Sequence, residues 1–320
     1  MEVNFLTTTN HHNGYGMTRE YFNKFLPLHG IELNPEFTGQ DVTLTLHIPP
    51  AIQHAKGKIK VLYTMIEGDT VPDSWHPFLK MADYIIVPTT FVQGAFERAG
   101  FKTSVIPLGY DESIFSYVER KGNHPYTFFH YEAFQDRKGW QDLLDAWFMA
   151  LNEEEYDARL ILKTIKPYDQ VPEDLKQFSN VKVISGEIPH HALFDILSEV
   201  DCFVFPSRGE GFSLPPLEAM ATGLPVILSR GHSHMDYYDE RYMYGVDCDI
   251  KIPARYPNWP DQGSFLRCNL DSLASVLKHV YSNKQEAKEK GKLAAEYVKK
   301  YTYHNTAEKL STFLKQIEKH

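Results

Sequence analysis

The chain has little cysteine, no long apolar run and no excess of positive charge, and each shortage removes a class of function. Its 320 residues hold three cysteines, Cys202, Cys248 and Cys268. They are odd in number and lack metal-ligand spacing, which argues against a disulfide framework or a zinc site and suits a reducing compartment. Cys202 sits in an apolar run and reads as an inert packed thiol. No stretch is apolar for the length a bilayer crossing requires, and the N-terminal MEVNFLTTTNHH lacks a signal-peptide pattern. A soluble, cytoplasmic protein is the expectation. The formal net charge of −9 at pH 7 argues against broad nonspecific nucleic-acid binding. Internal repeats and low-complexity segments are missing as well.

What remains is an ordinary soluble composition, 42% hydrophobic and 23% charged, in a chain comfortable for two domains. Strand-like and helix-like segments alternate, the pattern of parallel α/β sheets. Expected strands in the first third are 3–8, 42–48, 59–66, 84–88 and 103–108, with helices near 18–28, 74–81 and 91–99. The polar stretch YVERKGNHP (117–125) breaks the alternation and is the linker candidate. Strands then resume at 126–130, 159–163, 181–185, 202–205 and 226–229, with helices near 140–151, 191–199 and 217–222. The tail from Leu270 is helical, and the glutamates among its lysines (Glu286, Glu289, Glu296) make it a solvated face. The expected organisation is a first domain over 1–118, a linker over 119–125 and a second domain over 126–300. A closing helix over 301–320 is free to return to the first domain. Two doubly wound, Rossmann-like domains of this kind would face an interdomain cleft and bind ligands at the carboxyl ends of their strands.

The most informative segment is 209–223, GEGFSLPPLEAMATG, which follows the apolar run Asp201–Pro206. Gly209 and Gly211 flank Glu210, so the chain there turns sharply and brings amides close to a ligand. Pro215 and Pro216 suit the first turn of a helix, and Gly223 suits its left-handed end. Glu218 then lies near a helix start, where free N–H groups and a positive dipole end favour phosphate. Taken singly, each feature has a plainer reading: a glutamate complementing a dipole, a glycine pair making a turn.

Taken together, PSRGEGFSLPPLEAMATGLPVI (206–227) closely resembles the Glu-x7-Glu signature of retaining glycosyltransferases of family 4, which have the GT-B fold. The resemblance implies that Glu218 binds the ribose hydroxyls of a nucleotide sugar. It gives Glu210 and the amides of Gly211, Phe212, Ser213 and Leu214 to the donor sugar and phosphates. DRKGWQDLLDAW (136–147) is similar to the family segment whose lysine contacts the donor diphosphate, here Lys138. The family arginine five positions earlier is replaced by Ala133, with Arg137 the candidate substitute. Gly186, Glu187 and Ile188 match the place where members hold the nucleotide base. Gly14, Tyr15 and Gly16 resemble a glycine-bearing loop facing the phosphates, and VIPLGYDESIF (105–115) resembles the segment closing the first domain. Where many members carry a histidine, this chain has LYTMIEG (62–68), leaving Glu67 as an acceptor or sugar contact or a plain surface residue.

The implied activity is transfer of a sugar, with retention, from a UDP- or GDP-sugar to a hydroxyl acceptor: a glycan, a small molecule or a modified nucleic acid. Lys138, Arg137 and the loop amides would stabilise the leaving diphosphate, Glu210 an oxocarbenium-like centre, and domain closure would exclude water. No Asp-x-Asp stands in a site-like context and the fold usually works without metal, so neither metal nor cofactor is expected beyond the nucleotide sugar as co-substrate. Two alternatives stand beside this. One is transfer to a hydroxymethylated nucleic-acid base, with Lys56, Lys58 and Lys60 as a basic face. The other is a scaffold that binds nucleotide sugar without transfer. Oligomeric state is not legible.

Overall fold

The structure is a computed structural model that describes all residues except 9–13, 37–38, 40, 123, 132–134, 152–154, 168–170, 173–174, 176–177, 257–259 and 320. The chain forms two compact units. The first comprises Met1–Asp111, Pro253–Ser264 and Tyr301–His320, and the second Glu112–Ile252 and Phe265–Lys300.

The first unit holds β1 (Glu2–Thr7), α1 (Gly14–Phe25), β2 (Glu32–Asn34), β3 (Val42–Leu46), β4 (Ile59–Tyr63), α2 (His76–Leu79), β5 (Tyr84–Val87), α3 (Thr90–Arg98) and β6 (Ser104–Val105). Its parallel sheet has the order β2-β1-β3-β4-β5-β6. The central strand β3, VTLTL, is buried at every position, as a strand covered on both faces must be. Thr89 caps α3 by accepting from the Val92 amide, and Gly100 ends it with φ 86°.

The second unit holds β7 (Tyr126–Tyr131), α4 (Trp140–Ala150), β8 (Ala158–Lys163), β9 (Val181–Ile184), α5 (His190–Glu199), β10 (Cys202–Phe205), α6 (Pro215–Ala221), β11 (Val226–Arg230), β12 (Tyr244–Asp247), β13 (Ile250–Pro253), β14 (Ser264–Arg267), α7 (Leu270–Ser282) and α8 (Lys284–Val298). Strands β13 and β14 form a separate two-stranded sheet, and their residues Pro253 and Ser264 fall in the first unit. The main sheet runs β12-β11-β10-β7-β8-β9, the dinucleotide-binding order when its strands are renumbered within the unit. Its core packs β7, β8 and β10 against α4 and α7 around Trp147, Leu160, Val204 and Leu277.

Helix α9 (Tyr303–Ile317) belongs to the first unit. Tyr303 stacks on Tyr21 of α1 at 4.1 Å, and Gly109 is required where the backbone of Thr302 crosses it, since any Cβ would overlap that backbone. Two features depart from the sequence expectation. Residues 112–125 are pinned to the second unit. Buried Arg120 there donates to the carbonyls of Leu197 (2.6 Å) and Thr222, so it ties the ends of α5 and α6 together. Residues 253–264, placed by sequence in the second domain, pack in the first unit instead.

Candidate active site

In an open parallel sheet, ligands bind beyond the carboxyl ends of the strands where the strand order reverses. In the second unit that point lies between β7 and β10. The chain leaving β7 makes a tight turn over Asp136–Lys138, and Gly139 follows with φ 71°. A side chain at Gly139 would strike the Pro206 carbonyl; glycine alone lets the loops after β7 and β10 approach this closely. The Arg208 amide then donates to the Arg137 carbonyl at 2.7 Å.

This approach joins residues 72 positions apart. Glu210, 5% exposed, accepts from Lys138 Nζ at 2.8 Å and from Ser207 Oγ at 2.6 Å. Arg137 Nη1 lies 2.7 Å from the same carboxylate oxygen and donates to the Gly209 carbonyl at 2.5 Å. Burial alone would raise the Glu210 carboxyl pKa, but the Arg137 and Lys138 charges, with the Lys138 and Ser207 hydrogen bonds, hold it well below the usual carboxylate range. Glu210 is therefore an anion. Of the two cations, Arg137 is the more enclosed, with 8% of its side chain exposed against 15% for Lys138. Arg137 clamps the loop, and Lys138 stands at its mouth.

Asp142, in the first turn of α4, anchors this arrangement from behind. Its Oδ2 accepts from Arg208 Nε at 2.8 Å and its Oδ1 from Arg267 Nε at 2.8 Å, while the carboxylate itself is fully buried. Phe212 is buried against Tyr237, so only its main chain remains available to a ligand. Pro215 opens the seven-residue helix α6 and Glu218 lies buried in its first turn. Gly186 has φ 88°, and its carbonyl accepts from Lys163, whose ammonium also donates to the Thr164 carbonyl at 2.8 Å. Burial lowers the Lys163 pKa, with Glu187 opposing. Glu187 is exposed and Ile188 half-buried beyond this turn.

Gly14, Tyr15, Gly16 and Glu67 lie in the first unit. The three expected loop residues are the opening residues of α1, within which Thr18 Oγ1 donates back to the Gly14 carbonyl at 2.8 Å. The Tyr15 ring stacks on His47 at 5.7 Å, and its hydroxyl accepts from the Met65 amide at 3.2 Å. Glu67 accepts from the Tyr256 hydroxyl, and its amide donates to Gln262 Oε1 at 3.0 Å. Ala133 falls outside the described residues. Lys58 pairs with Asp41 on the surface at 3.0 Å.

Sequence reading missed Lys163, Asp142 and the histidines after β11. His232 Nε2 donates to the Ser207 carbonyl at 2.9 Å, and His234 Nε2 lies 3.0 Å from Ser213 Oγ. Burial pushes the His232 pKa down to about 4 and that of His234 well below its ordinary value. Their one legible signal was position, since GHSHM follows a strand at the ligand-binding edge of the sheet.

Residues 126–242 match the family model described as glycosyl transferases group 1. The matched stretch lies within the second unit. A relative from Sulfolobus islandicus filamentous virus (isolate Iceland/Hveragerdi), provisionally named glycosyltransferase 45, is 25% identical over 242 residues, 72% of this chain and 66% of its own length. Another from the same virus, provisionally named glycosyltransferase 63, is 27% identical over 123 residues, 33% of this chain and 46% of its own. The chain thus spans just under two thirds of the first relative and under half of the second. Among solved structures, a sucrose-phosphate synthase from Thermosynechococcus elongatus has a TM-score of 0.77 at 15% identity, covering 100% of this chain and 99% of the other. HepE of Anabaena in complex with UDP and glucose has a TM-score of 0.72 at 15% identity, covering 99% and 100%. Together with the two six-stranded parallel sheets, these neighbours establish the two-domain α/β fold of GT-B glycosyltransferases. No helix among the described residues is long and apolar enough to cross a membrane.

Proposed function

We propose that the protein transfers a sugar, with retention of configuration, from a nucleotide-diphosphate sugar to a hydroxyl acceptor. One observation carries the reading: Lys138, Arg137 and Glu210 meet at the strand-order reversal of the second sheet. Departure of a nucleoside diphosphate builds negative charge on the β-phosphate, and a fixed cation beside main-chain amides lowers that barrier. Lys138 meets the diphosphate, with the amides of Gly211 to Leu214 beside it. Arg137 acts at one remove by clamping the Gly209–Glu210 turn. Glu218 holds the ribose hydroxyls, because a carboxylate accepts two at once. Gly186 to Ile188 receive the base, and Glu210 faces the sugar. UDP-glucose is the first donor to try, since HepE, of the same fold, was solved with it.

The bond between the anomeric carbon and the phosphate oxygen breaks, and its electron pair leaves on the diphosphate. The acceptor oxygen bonds to the same face, and its proton passes to the departing phosphate. Glu210, anionic at any neutral pH, stabilises the positive charge that develops at the anomeric centre. The Lys138 ammonium and the amides supply the counter-charge, so the step calls for no metal.

A thermal-shift screen against UDP-, GDP- and ADP-sugars tests the reading, because a ligand of the native state raises the melting temperature by mass action. The expected result is a shift with one nucleotide class, followed by nucleoside-diphosphate release when an acceptor is supplied. A flat response to all three classes overturns it. A shift without release under any acceptor identifies a binding scaffold.

A further inference from the structure

Among the described residues, two non-glycine positions have positive φ, Ser213 at 81° and His232 at 43°. Both belong to one buried hydrogen-bond network. Left-handed backbone is unfavourable for a residue with a Cβ, so something must hold it. The network shows what does. Ser229 Oγ, at the end of β11, donates its one hydrogen to the Ser207 carbonyl at 2.6 Å. The Ser229 carbonyl and hydroxyl lie 3.1 and 3.0 Å from His234 Nδ1. A carbonyl only accepts and this hydroxyl's hydrogen is already committed, so Nδ1 carries the ring hydrogen. In a neutral ring Nε2 is then an acceptor, and Ser213 Oγ donates to it at 3.0 Å. One tautomer satisfies every contact. Burial keeps the ring neutral, and packing against Phe205 and Tyr237 fixes its plane.

We propose that His234 is a positioning residue for the nucleotide site: from behind β11 it holds Ser213 in its left-handed conformation and so sets the direction of the amides that follow Glu210. Ser207 secures the other end of the same turn, with its hydroxyl on Glu210 at 2.6 Å and its carbonyl held by Ser229 and His232. The turn is thus braced at both ends by the segment after β11, and His234 touches no ligand itself. The inference rests on the nucleotide-sugar reading only in taking those amides to face the diphosphate.

The test is a double-mutant cycle on the full chain with His234→Ala and Ser213→Gly, since glycine takes positive φ without support. UDP, GDP and ADP serve as calorimetric probes. His234→Ala should weaken the nucleotide that wild type binds about tenfold or more. Adding Ser213→Gly should return most of that loss. His234→Phe, which keeps ring volume and removes both nitrogens, should behave like the alanine variant and covers the case where alanine does not fold. Undiminished affinity in both His234 variants overturns the proposal, as does failure of Ser213→Gly to rescue, because glycine at 213 relieves backbone strain there and would not fill the space that the lost ring leaves. The same cycle read by melting temperature needs no ligand: Ser213→Gly should be more favourable in the His234→Ala background than in wild type, and equal effects in the two backgrounds refute the brace. If wild type binds none of the three nucleotides, the functional reading falls, and the melting cycle alone decides the brace.

Discussion

The two parallel sheets reverse their strand order at different places and furnish the reversal differently. In the first, between β1 and β3, stand Tyr15, stacked on His47, and Thr64, 3.3 Å from the tyrosine hydroxyl. Burial pushes the Tyr15 hydroxyl up to about 12 and the His47 ring down, so both are neutral dipoles at pH 7. In the second, between β7 and β10, stand two cations around a carboxylate, with a buried Asp142 and two further arginines behind them. Fixed dipoles can recognise hydroxyls, but in the proposed transfer only the charged grouping could answer the charge of a leaving diphosphate. Charge of this density is costly to bury, and the second unit offsets the cost by satisfying its carboxylates several times over.

The largest expected effect tests that offset. Asp142→Ala leaves Arg208 and Arg267 without their shared carboxylate and should destabilise the protein by about 3–5 kcal/mol, measured by urea unfolding. A loss below ~1 kcal/mol would mean that the charges behind the turn are solvated rather than structural. Next comes Lys138→Ala, which should lower turnover roughly 10²–10³-fold with little change in melting temperature; a normal rate would erase the distinction between the two sheets. Glu218→Ala should weaken donor binding by about 1–3 kcal/mol, and calorimetry showing wild-type affinity would remove it from the site. The smallest effect belongs to the neutral end. Tyr15→Phe removes hydrogen bonds to Thr64 and the Met65 main chain and should lower stability by about 0.5–1.5 kcal/mol. A larger loss would show that the neutral grouping bears more strain than its contacts suggest.

Much of this was legible, for reasons that differ by residue. CFVF (202–205) is apolar at every position because β10 is covered on both faces, and such runs are hard to misread. The turn after it was legible because glycine and proline act locally. The Glu210–Arg137–Lys138 cluster was visible only as separate halves, since nothing in either segment encodes a contact across 72 residues. Two glycines at 14 and 16 suggested a loop, but they open α1, where tertiary packing of Tyr15 against His47 outweighs their weak helix propensity. The polar stretch 117–125 read as a linker because its tether, Arg120, bonds to carbonyls, and carbonyls leave no trace in a sequence. His234 carries no motif at all. Its role comes from the backbone angle of another residue.

The return of α9 to the first unit has a consequence for how the chain is made. Everything in the second unit has left the ribosome once Lys300 emerges, while the first unit still lacks the helix that covers Tyr21 and Phe25. Synthesis ordinarily lets the more N-terminal part fold first; here the earlier of the two sheets is the later to be closed. A chain ending at Lys300 should resist protease across Tyr126–Ile252 and Phe265–Val298 and remain open to it near α1, a reversal of the usual order that follows from where one helix is docked.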